Sequence, residues 1–169
     1  AGQLPDRMDK NFFVEMTREQ ITDHESYYEN VSQLVNKWIR TGYLSEEERQ
    51  QLLINLNCMR MVCDSTYILN TGTNYGNKIS EISGIIDELT ENPENKLVIF
   101  SQWKRMFDLL IIELRKKNIS FEYLNGDIPA IQRKIIIEKF EKDPDVKVFL
   151  STDAGGVGVN LQSANILIN

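Results

Sequence analysis

The order of apolar and polar positions differs between the two halves of the chain. From residue 96 onward, short apolar runs alternate with longer segments in which apolar side chains recur every three or four positions. Short runs bounded by polar turns predict buried strands, and the longer periodic segments predict amphipathic helices. Strands are expected at residues 97–100, 121–124, 146–150 and 166–168, and helices at 103–117 and 129–142. This alternation predicts an α/β fold, with a parallel sheet, right-handed crossovers and helices on both faces.

The first half has the pattern of a mostly helical lead-in. Thr17 and Gln20 have the spacing of a capping box, which predicts a helix that begins there and ends at Gly42. Ser45 and Glu48 form a second capping box, which predicts another helix. The apolar positions of the first helix are Ile21, Tyr28, Val31, Leu34, Val35 and Trp38. The predicted buried stripe of the second is Leu52, Leu53, Leu56, Met59 and Val62.

Two further features divide the chain. An apolar run at residues 12–14 predicts a short strand before the first helix. Residues 70–77, NTGTNYGN, are typical of a turn-rich link. We therefore expect a lead-in over residues 1–77 and an α/β lobe over 78–169. The lobe should begin with an amphipathic helix that carries Ile79, Ile82, Ile86 and Leu89 on one face.

Composition limits the kinds of protein that the chain can be. Its 169 residues are enough to form a core without disulfides. Cys58 and Cys63 have no partner at metal-ligand spacing, so we interpret them as buried or free thiols in a reducing compartment. No apolar run approaches the ~20 residues that span a bilayer, and no signal-peptide pattern opens the chain. We expect a soluble cytoplasmic protein with no membrane partner.

The charge is unevenly distributed. The chain has a net charge of −6, which argues against simple electrostatic binding to nucleic acid. Residues 1–96 carry a net −7, and residues 97–169 carry a net +1. We interpret the acidic half as a solvated surface. The near-neutral half can still bind a phosphate backbone through a few well-placed amides, hydroxyls and basic residues.

Polar residues follow the first three predicted strands. In parallel sheets ligands bind at the carboxyl ends of the strands, and hydroxyls, amides and helix N-termini suit a phosphate there. The same residue types also cap helices and form turns, and glycine runs are common in tight connections, so both interpretations stay open. The residues are Ser101 and Gln102, then Asn125, Gly126 and Asp127, then Ser151, Thr152 and Asp153, followed by Gly155, Gly156 and Gly158.

A complete ATP site is not visible in the sequence. ATP hydrolysis needs a phosphate loop with a lysine and an acid that holds magnesium, and neither occurs at the required spacing. Asp127 and Asp153 are single acids, which we interpret as caps rather than metal ligands. His24 is the only histidine, and we interpret it as a surface residue. The sequence predicts no catalytic residue and no metal ligand.

The second half contains four distinctive segments: LVIFSQ at 97–102, YLNG at 123–126, Arg133 with Phe140, and STDAGGVGVNLQSANILIN at 151–169. Together they resemble motifs IV through V of the Swi/Snf family of superfamily-two helicase-like ATPases. The resemblance implies a second RecA-like lobe over residues 96–169, in agreement with the predicted alternation of strands and helices. The lead-in resembles the family's entry to this lobe, and DSTY at residues 64–67 is similar to the bacterial branch. The lead-in segments that resemble the entry to the lobe are LP at 4–5, MTREQ at 16–20 and MRMVC at 59–63.

The resemblance implies two sets of site residues. In relatives, one set of motif residues faces the nucleic-acid backbone, and a second lies on the stretch that faces ATP. The positions implied to contact DNA are Ser101, Gln102, Gly126, Arg133, Ser151 and Thr152. The positions implied to face ATP are Gly156, Gly158 and Asn160.

The family context implies the partners and cofactors. ATP and magnesium are expected in the full-length enzyme, between this lobe and a missing N-terminal ATPase lobe, and none is expected on the isolated chain. Double-stranded DNA and a DNA-bound protein complex are the expected partners, in the bacterial cytoplasm near the nucleoid. We expect a lobe that is truncated before motif VI, which supplies arginines for transition-state charge, and therefore inactive alone.

Two other function classes stay open. A stand-alone doubly wound domain could bind a nucleotide or flavin at residues 155–160, but it would need a further ligand loop, and nine residues follow Asn160. A protein-interaction module is also compatible with the sequence, since the acidic lead-in could bind a partner while the lobe serves as a scaffold.

Overall fold

The computed structural model describes residues 8–152 and 161–169, and from the first helix onward its elements follow the predicted order. Five helices and four strands are formed in these ranges, with a 3₁₀ turn at Thr66–Ile68. In chain order they are α1 (Arg18–Thr41), α2 (Glu46–Asp64), α3 (Lys78–Thr90), β1 (Leu97–Ser101), α4 (Lys104–Lys116), β2 (Phe121–Leu124), α5 (Ala130–Lys142), β3 (Val148–Thr152) and β4 (Ile166–Ile168).

Both predicted capping boxes are formed and determine where α1 and α2 begin. The Thr17 hydroxyl accepts a hydrogen bond from the Gln20 amide, and the Gln20 side chain accepts one from the Thr17 amide. Ser45 and Glu48 make the same reciprocal pair at the start of α2. Gly42 ends α1 with a φ of 68°, a left-handed conformation that glycine adopts without steric cost.

The strand predicted at residues 12–14 is not formed. Residues 8–17 contain no helix or strand, and Phe12 and Phe13 are 63% and 96% exposed. A strand needs a neighbouring strand for its backbone hydrogen bonds, and the described sheet consists of β1 to β4 alone. The apolar run therefore lies on the surface as an irregular segment.

The predicted burial of the lead-in helices was wrong for several positions. Val31 and Val62 are buried, but Leu53 and Leu56 are 61% and 40% exposed, and Ile21, Tyr28 and Trp38 are also exposed. Polar side chains occupy part of the contact between α1 and α2. The buried Gln20 amide donates to the carbonyl of Val62 at 2.5 Å, and Asn30 donates to the buried Asn55 at 3.3 Å. A helix pair buries a narrow stripe, and here polar residues fill part of it.

The sheet is parallel throughout, with strand order β2-β3-β1-β4. The chain passes from β1 through α4 to β2 and then returns through α5 to β3. Because these two crossovers run in opposite directions across the sheet, right-handed connections place α4 and α5 on opposite faces. The predicted α/β fold with helices on both faces is confirmed.

Each face of the sheet has its own core. The first core, beneath α3 and α4, includes Ile86, Leu97, Ile99, Phe107, Leu110, Leu114, Val148 and Leu150. The second, beneath α5, consists of Val98, Leu124, Phe140, Val146 and Phe149. Residues of β1 and β3 alternate between the two cores, as expected for strands covered on both sides. These cores hold the carboxyl ends of three strands in a fixed arrangement.

Two glycines should respond in opposite ways to alanine. Gly84 lies in the exposed middle of α3, and a Cβ added there meets no atom within 4 Å. We expect Gly84→Ala to raise the free energy of unfolding by about 0.5–1 kcal/mol, since alanine is the better helix former. A Cβ on Gly76 would lie 2.9 Å from the backbone oxygen of Asp64.

Gly76→Ala should therefore lower the free energy of unfolding by roughly 1–3 kcal/mol, since the obstructing atom belongs to the backbone. Urea denaturation of the two variants beside the wild type checks both signs. A stabilised Gly76→Ala protein would show that the turn between α2 and α3 can shift at little cost.

Candidate nucleic-acid interface

The carboxyl ends of β1, β2 and β3 lie side by side. In the register of the sheet, Ser101 is opposite Thr152, and Leu124 is opposite Ser151. Since β3 lies between the other two strands and neighbours are ~4.8 Å apart, the three ends span roughly 10 Å. This edge is the place where parallel sheets bind ligands. The structure thus brings three sets of predicted polar residues to one edge: Ser101 with Gln102 at the end of β1, the turn after β2, and Ser151 with Thr152, which form the end of β3 and do not follow it.

The turn after β1 presents Gln102 at the surface. The Ser101 hydroxyl accepts a hydrogen bond from the amide of Trp103 at 3.2 Å, which shapes the turn before α4. Gln102 is exposed, and its Oε1 accepts a hydrogen bond from Nη2 of Arg60 at 2.6 Å. The guanidinium of Arg60 also lies over the ring of Trp103, 5.9 Å from its centroid. A residue of α2 therefore contacts the first strand end.

Arg133 holds the loop that follows β2. Its Nε donates to the carbonyl of Ile128 at 2.9 Å, and its Nη2 donates to the carbonyls of Gly126 and Asn125 at 3.2 and 3.4 Å. The side chain of Asn125 accepts from the amide of Asp127 at 2.9 Å, which tightens the same turn. Gly126 is exposed at the loop surface. Arg133 thus positions this loop from within α5.

An ion pair joins the first two strand ends. Lys104, at the start of α4, contacts the carboxylate of Asp127 in the loop after β2. The hydrogen bond from Lys104 to Asp127 raises the pKa of the lysine. Both side chains are largely exposed, so the pair adds little stability. Its effect on the interface is to neutralise one of the cations near this edge.

The third strand end is buried. Ser151 and Thr152 are 0% and 4% exposed, and the Ser151 hydroxyl donates to the carbonyl of Thr152 at 3.1 Å. These side chains belong to the interior of the strand end, in contrast to Gln102 and Gly126 on the surface. The contact with nucleic acid that the resemblance implies for Ser151 and Thr152 stays a prediction.

With this geometry in place, comparison with known proteins identifies the domain. Residues 77–169 match the family of helicase conserved C-terminal domains. The chain belongs to this family. The RecA-like fold of the helicase C-terminal domain, with its helical lead-in, is also seen in the Sulfolobus solfataricus SWI2/SNF2 ATPase C-terminal domain. That structure has a TM-score of 0.79 and 27% identity, and the match covers 96% of this chain and 71% of that one.

Two further relatives support the SWI2/SNF2 type. The Sulfolobus solfataricus SWI2/SNF2 ATPase core in complex with dsDNA matches with a TM-score of 0.77 and 28% identity, over 97% of this chain and 35% of that one. A Caenorhabditis elegans homolog of the SWI/SNF-related matrix-associated actin-dependent regulator of chromatin subfamily A containing DEAD/H box 1 is 35% identical over 129 residues. That match covers 75% of this chain but 12% of the relative.

The comparisons place this helicase C-terminal domain in the SWI2/SNF2 family. They do not test the bacterial branch, which stays a prediction, since these relatives come from an animal and an archaeon. This chain spans a small part of its curated relatives, about a tenth of their length in the C. elegans protein and in the mouse member of the same subfamily (12% and 10%).

The positions implied to face ATP lie outside the described residues. Gly156, Gly158 and Asn160 fall in residues 153–160, as does Asp153. In the described part of the chain, no group of three or more His, Cys, Asp or Glu side chains could hold a metal ion. No helix of that part has the length and apolar character needed to cross a membrane.

Sequence reasoning did not identify Arg60 as a site residue. It lies within the MRMVC segment that resembles the family, but its partner Gln102 is 42 residues away. Helical periodicity shows which face of α2 is polar, not which strand end that face meets. The signal that could have pointed to Arg60 is the resemblance of the MRMVC segment to the family, because it places this segment at the entry to the lobe.

Proposed function

We propose that this chain is the second lobe of a DNA-dependent ATPase that moves along duplex DNA and remodels protein–DNA complexes. In this role the sheet edge contacts the DNA backbone, and the segment at residues 155–160 faces ATP. The observation that carries the proposal is the meeting of polar strand ends at one edge of the sheet, in a domain that resembles an ATPase core solved with dsDNA.

The chemistry of the edge suits a phosphate backbone. Gln102 offers a side-chain amide, Gly126 offers an exposed backbone that a phosphate can approach closely, and α4 begins two residues after Gln102. Backbone amides, side-chain amides and helix N-termini are common ligands of phosphate oxygens. The acidic lead-in supplies no general attraction for DNA, so specific placement must provide most of the affinity.

The ATP side of the proposal rests on the resemblance. Gly156, Gly158 and Asn160 are proposed to face the nucleotide, whose hydrolysis supplies the energy for translocation. ATP and magnesium would lie between this lobe and an N-terminal ATPase lobe, and the described residues offer no acidic cluster for the ion. In this scheme the chain binds one side of the nucleotide, while the partner lobe provides the phosphate loop and the magnesium ligands.

A protein-interaction module is the second candidate. The lead-in exposes many large apolar side chains, and such surfaces mark interaction sites when they are contiguous. They include Phe12, Phe13, Trp38, Ile39, Tyr43, Leu53 and Ile54. A module of this kind would bind a protein through the lead-in and would not depend on the strand ends.

Duplex binding by the chain tests the DNA side of the proposal. We expect a fluorescein-labelled 20-base-pair duplex to bind weakly, with a Kd above about 1 μM at physiological salt, and more tightly as salt is lowered. Gly126→Asp should weaken binding by about fivefold or more, because a carboxylate would lie beside the phosphate. Fluorescence anisotropy at several salt concentrations measures both effects.

Gly84→Asp is the matched control, since Gly84 is an exposed glycine in open space on α3. It adds the same charge away from the strand ends and should bind as the wild type does. Submicromolar binding at physiological salt, or equal effects of the two aspartates, would contradict the proposal.

A further inference from the structure

Arg60 connects the helical lead-in to the proposed DNA-binding edge. It lies near the end of α2, donates through Nη2 to Oε1 of Gln102 at 2.6 Å, and has its guanidinium 5.9 Å from the ring centroid of Trp103. The two contacts hold the side chain against the turn between β1 and α4. Lead-in and lobe therefore meet at the end of β1.

The contact with Arg60 determines which end of the Gln102 amide faces outward. A guanidinium only donates hydrogen bonds, so the atom that it contacts on Gln102 must be the carbonyl oxygen. The NH₂ group of Gln102 is then directed away from Arg60, with two donors for an external acceptor. No described residue accepts a hydrogen bond from it. Arg60 itself retains further N–H donors, because a guanidinium has five.

Arg60 has no carboxylate partner among the described residues, whereas Lys104 at the same edge has one. Lys104 is neutralised by Asp127. Arg133 and Arg105 donate to backbone carbonyls, Arg105 to that of Ile68. Among the described residues no carboxylate forms an ion pair with Arg60, which is exposed, and Gln102 is uncharged. A guanidinium held in place, with free donors and no counter-charge, is well suited to bind a phosphate.

We propose that Arg60 and the side-chain amide of Gln102 together bind one backbone phosphate of duplex DNA. This inference rests on the proposed DNA-binding function and assigns to the lead-in a direct part in it. Arg60 supplies the charge and orients Gln102, and Gln102 supplies amide donors to the same phosphate. Trp103 holds the guanidinium by cation–π stacking.

The first test removes the charge of Arg60. Arg60→Gln should weaken binding of the labelled duplex by about fivefold to tenfold and reduce the slope of log K against log salt by about 0.9, the value for one phosphate contact. Arg60→Lys should keep the slope and lose part of the affinity, since lysine keeps the charge but lacks the planar fork. Arg49→Gln is the matched control, an exposed arginine of α2 about 16 Å along the helix from Arg60.

The second test follows Trp103 directly. The chain has two tryptophans, so a Trp38→Phe background leaves Trp103 as the single reporter. We expect duplex to change the Trp103 emission in this background, and the change to be lost in Arg60→Gln. Gln102→Glu should weaken duplex binding while thermal melting stays near that of the wild type, because the new carboxylate pairs with Arg60 and removes the amide donors.

The outcomes separate this inference from the function on which it rests. If the wild type binds duplex while Arg60→Gln and Arg49→Gln both match it in affinity and salt slope, the phosphate site is wrong and the DNA-binding function stands. If the wild type shows no salt-dependent binding of duplex, the proposed function fails, and this inference fails with it. A loss in Arg60→Gln with an unchanged salt slope would show a purely structural role and would also overturn the phosphate contact.

Discussion

Phe149→Ala is expected to lower the free energy of unfolding by about 3–5 kcal/mol, the usual cost of removing a buried aromatic ring. Phe149 lies in β3 with 0% exposure, and its ring centroid is 5.1 Å from that of Phe140 on α5. Because β3 is flanked by β1 and β2, a cavity there would disturb the strand that aligns all three ends. Against a typical total stability of about 5–15 kcal/mol, the loss is large.

Phe13→Ala offers a control of the same chemistry. Phe13 is 96% exposed, so its loss should change the free energy of unfolding by less than about 0.5 kcal/mol. Urea denaturation followed by circular dichroism measures both variants. Equal destabilisation by the two substitutions would mean that the core is not centred on β3, or that residue 13 is covered in solution.

Gly158→Asp is expected to reduce ATP hydrolysis strongly in the complete protein that the gene encodes. The resemblance places Gly158 on the stretch that faces ATP, where a new side chain would occupy the space of the nucleotide and its carboxylate would repel the phosphates. We expect the rate with duplex DNA to fall by at least about tenfold, a loss of ~1.4 kcal/mol of transition-state stabilisation.

The control for this effect is Gly84→Asp in the same protein, which adds the same carboxylate to an exposed helix surface. It should hydrolyse ATP at the wild-type rate. Thermal melting of both variants distinguishes a blocked nucleotide site from a misfolded lobe. A folded Gly158→Asp protein with normal hydrolysis would show that the glycine run is only a connection.

The elements of the fold were accessible from the sequence because their signals are local. Capping boxes need only four consecutive residues, so the starts of α1 and α2 were predicted correctly at Thr17 and Ser45. The strands of the sheet are short apolar runs between polar turns, and β2 and β4 have the predicted bounds. Right-handed crossovers then gave helices on both faces without further information.

Burial in the lead-in was not accessible in the same way. Periodicity assigned Leu53 and Leu56 to a buried stripe, whereas the interface of α1 and α2 uses Gln20 and Asn55 in part. The Gln20 side chain is buried because it reaches the carbonyl of Val62, 42 positions away. A local pattern does not show a contact between residues that are far apart in the chain. The sequence therefore predicted the two helices but not all of the side chains that pack between them.

The candidate site shows the same limit. The three strand ends were predicted from the order of elements, and the register of the sheet brings them together. The sequence did not predict the intramolecular contacts of Arg133. Its guanidinium donates hydrogen bonds to backbone carbonyls of the loop at residues 125–128. The link between Arg60 and Gln102 also depends on how the lead-in folds against the lobe. Side-chain partners across the fold required the structure.

The rate of ATP hydrolysis by the complete protein, measured with and without duplex DNA, tests the central claim most directly. If the chain is the second lobe of a DNA-dependent ATPase, we expect the complete protein to hydrolyse ATP slowly without DNA. The rate should rise with duplex concentration to a plateau. A rate that does not respond to DNA, or no hydrolysis under either condition by a folded protein, would contradict the claim and favour an interaction module built on the exposed lead-in.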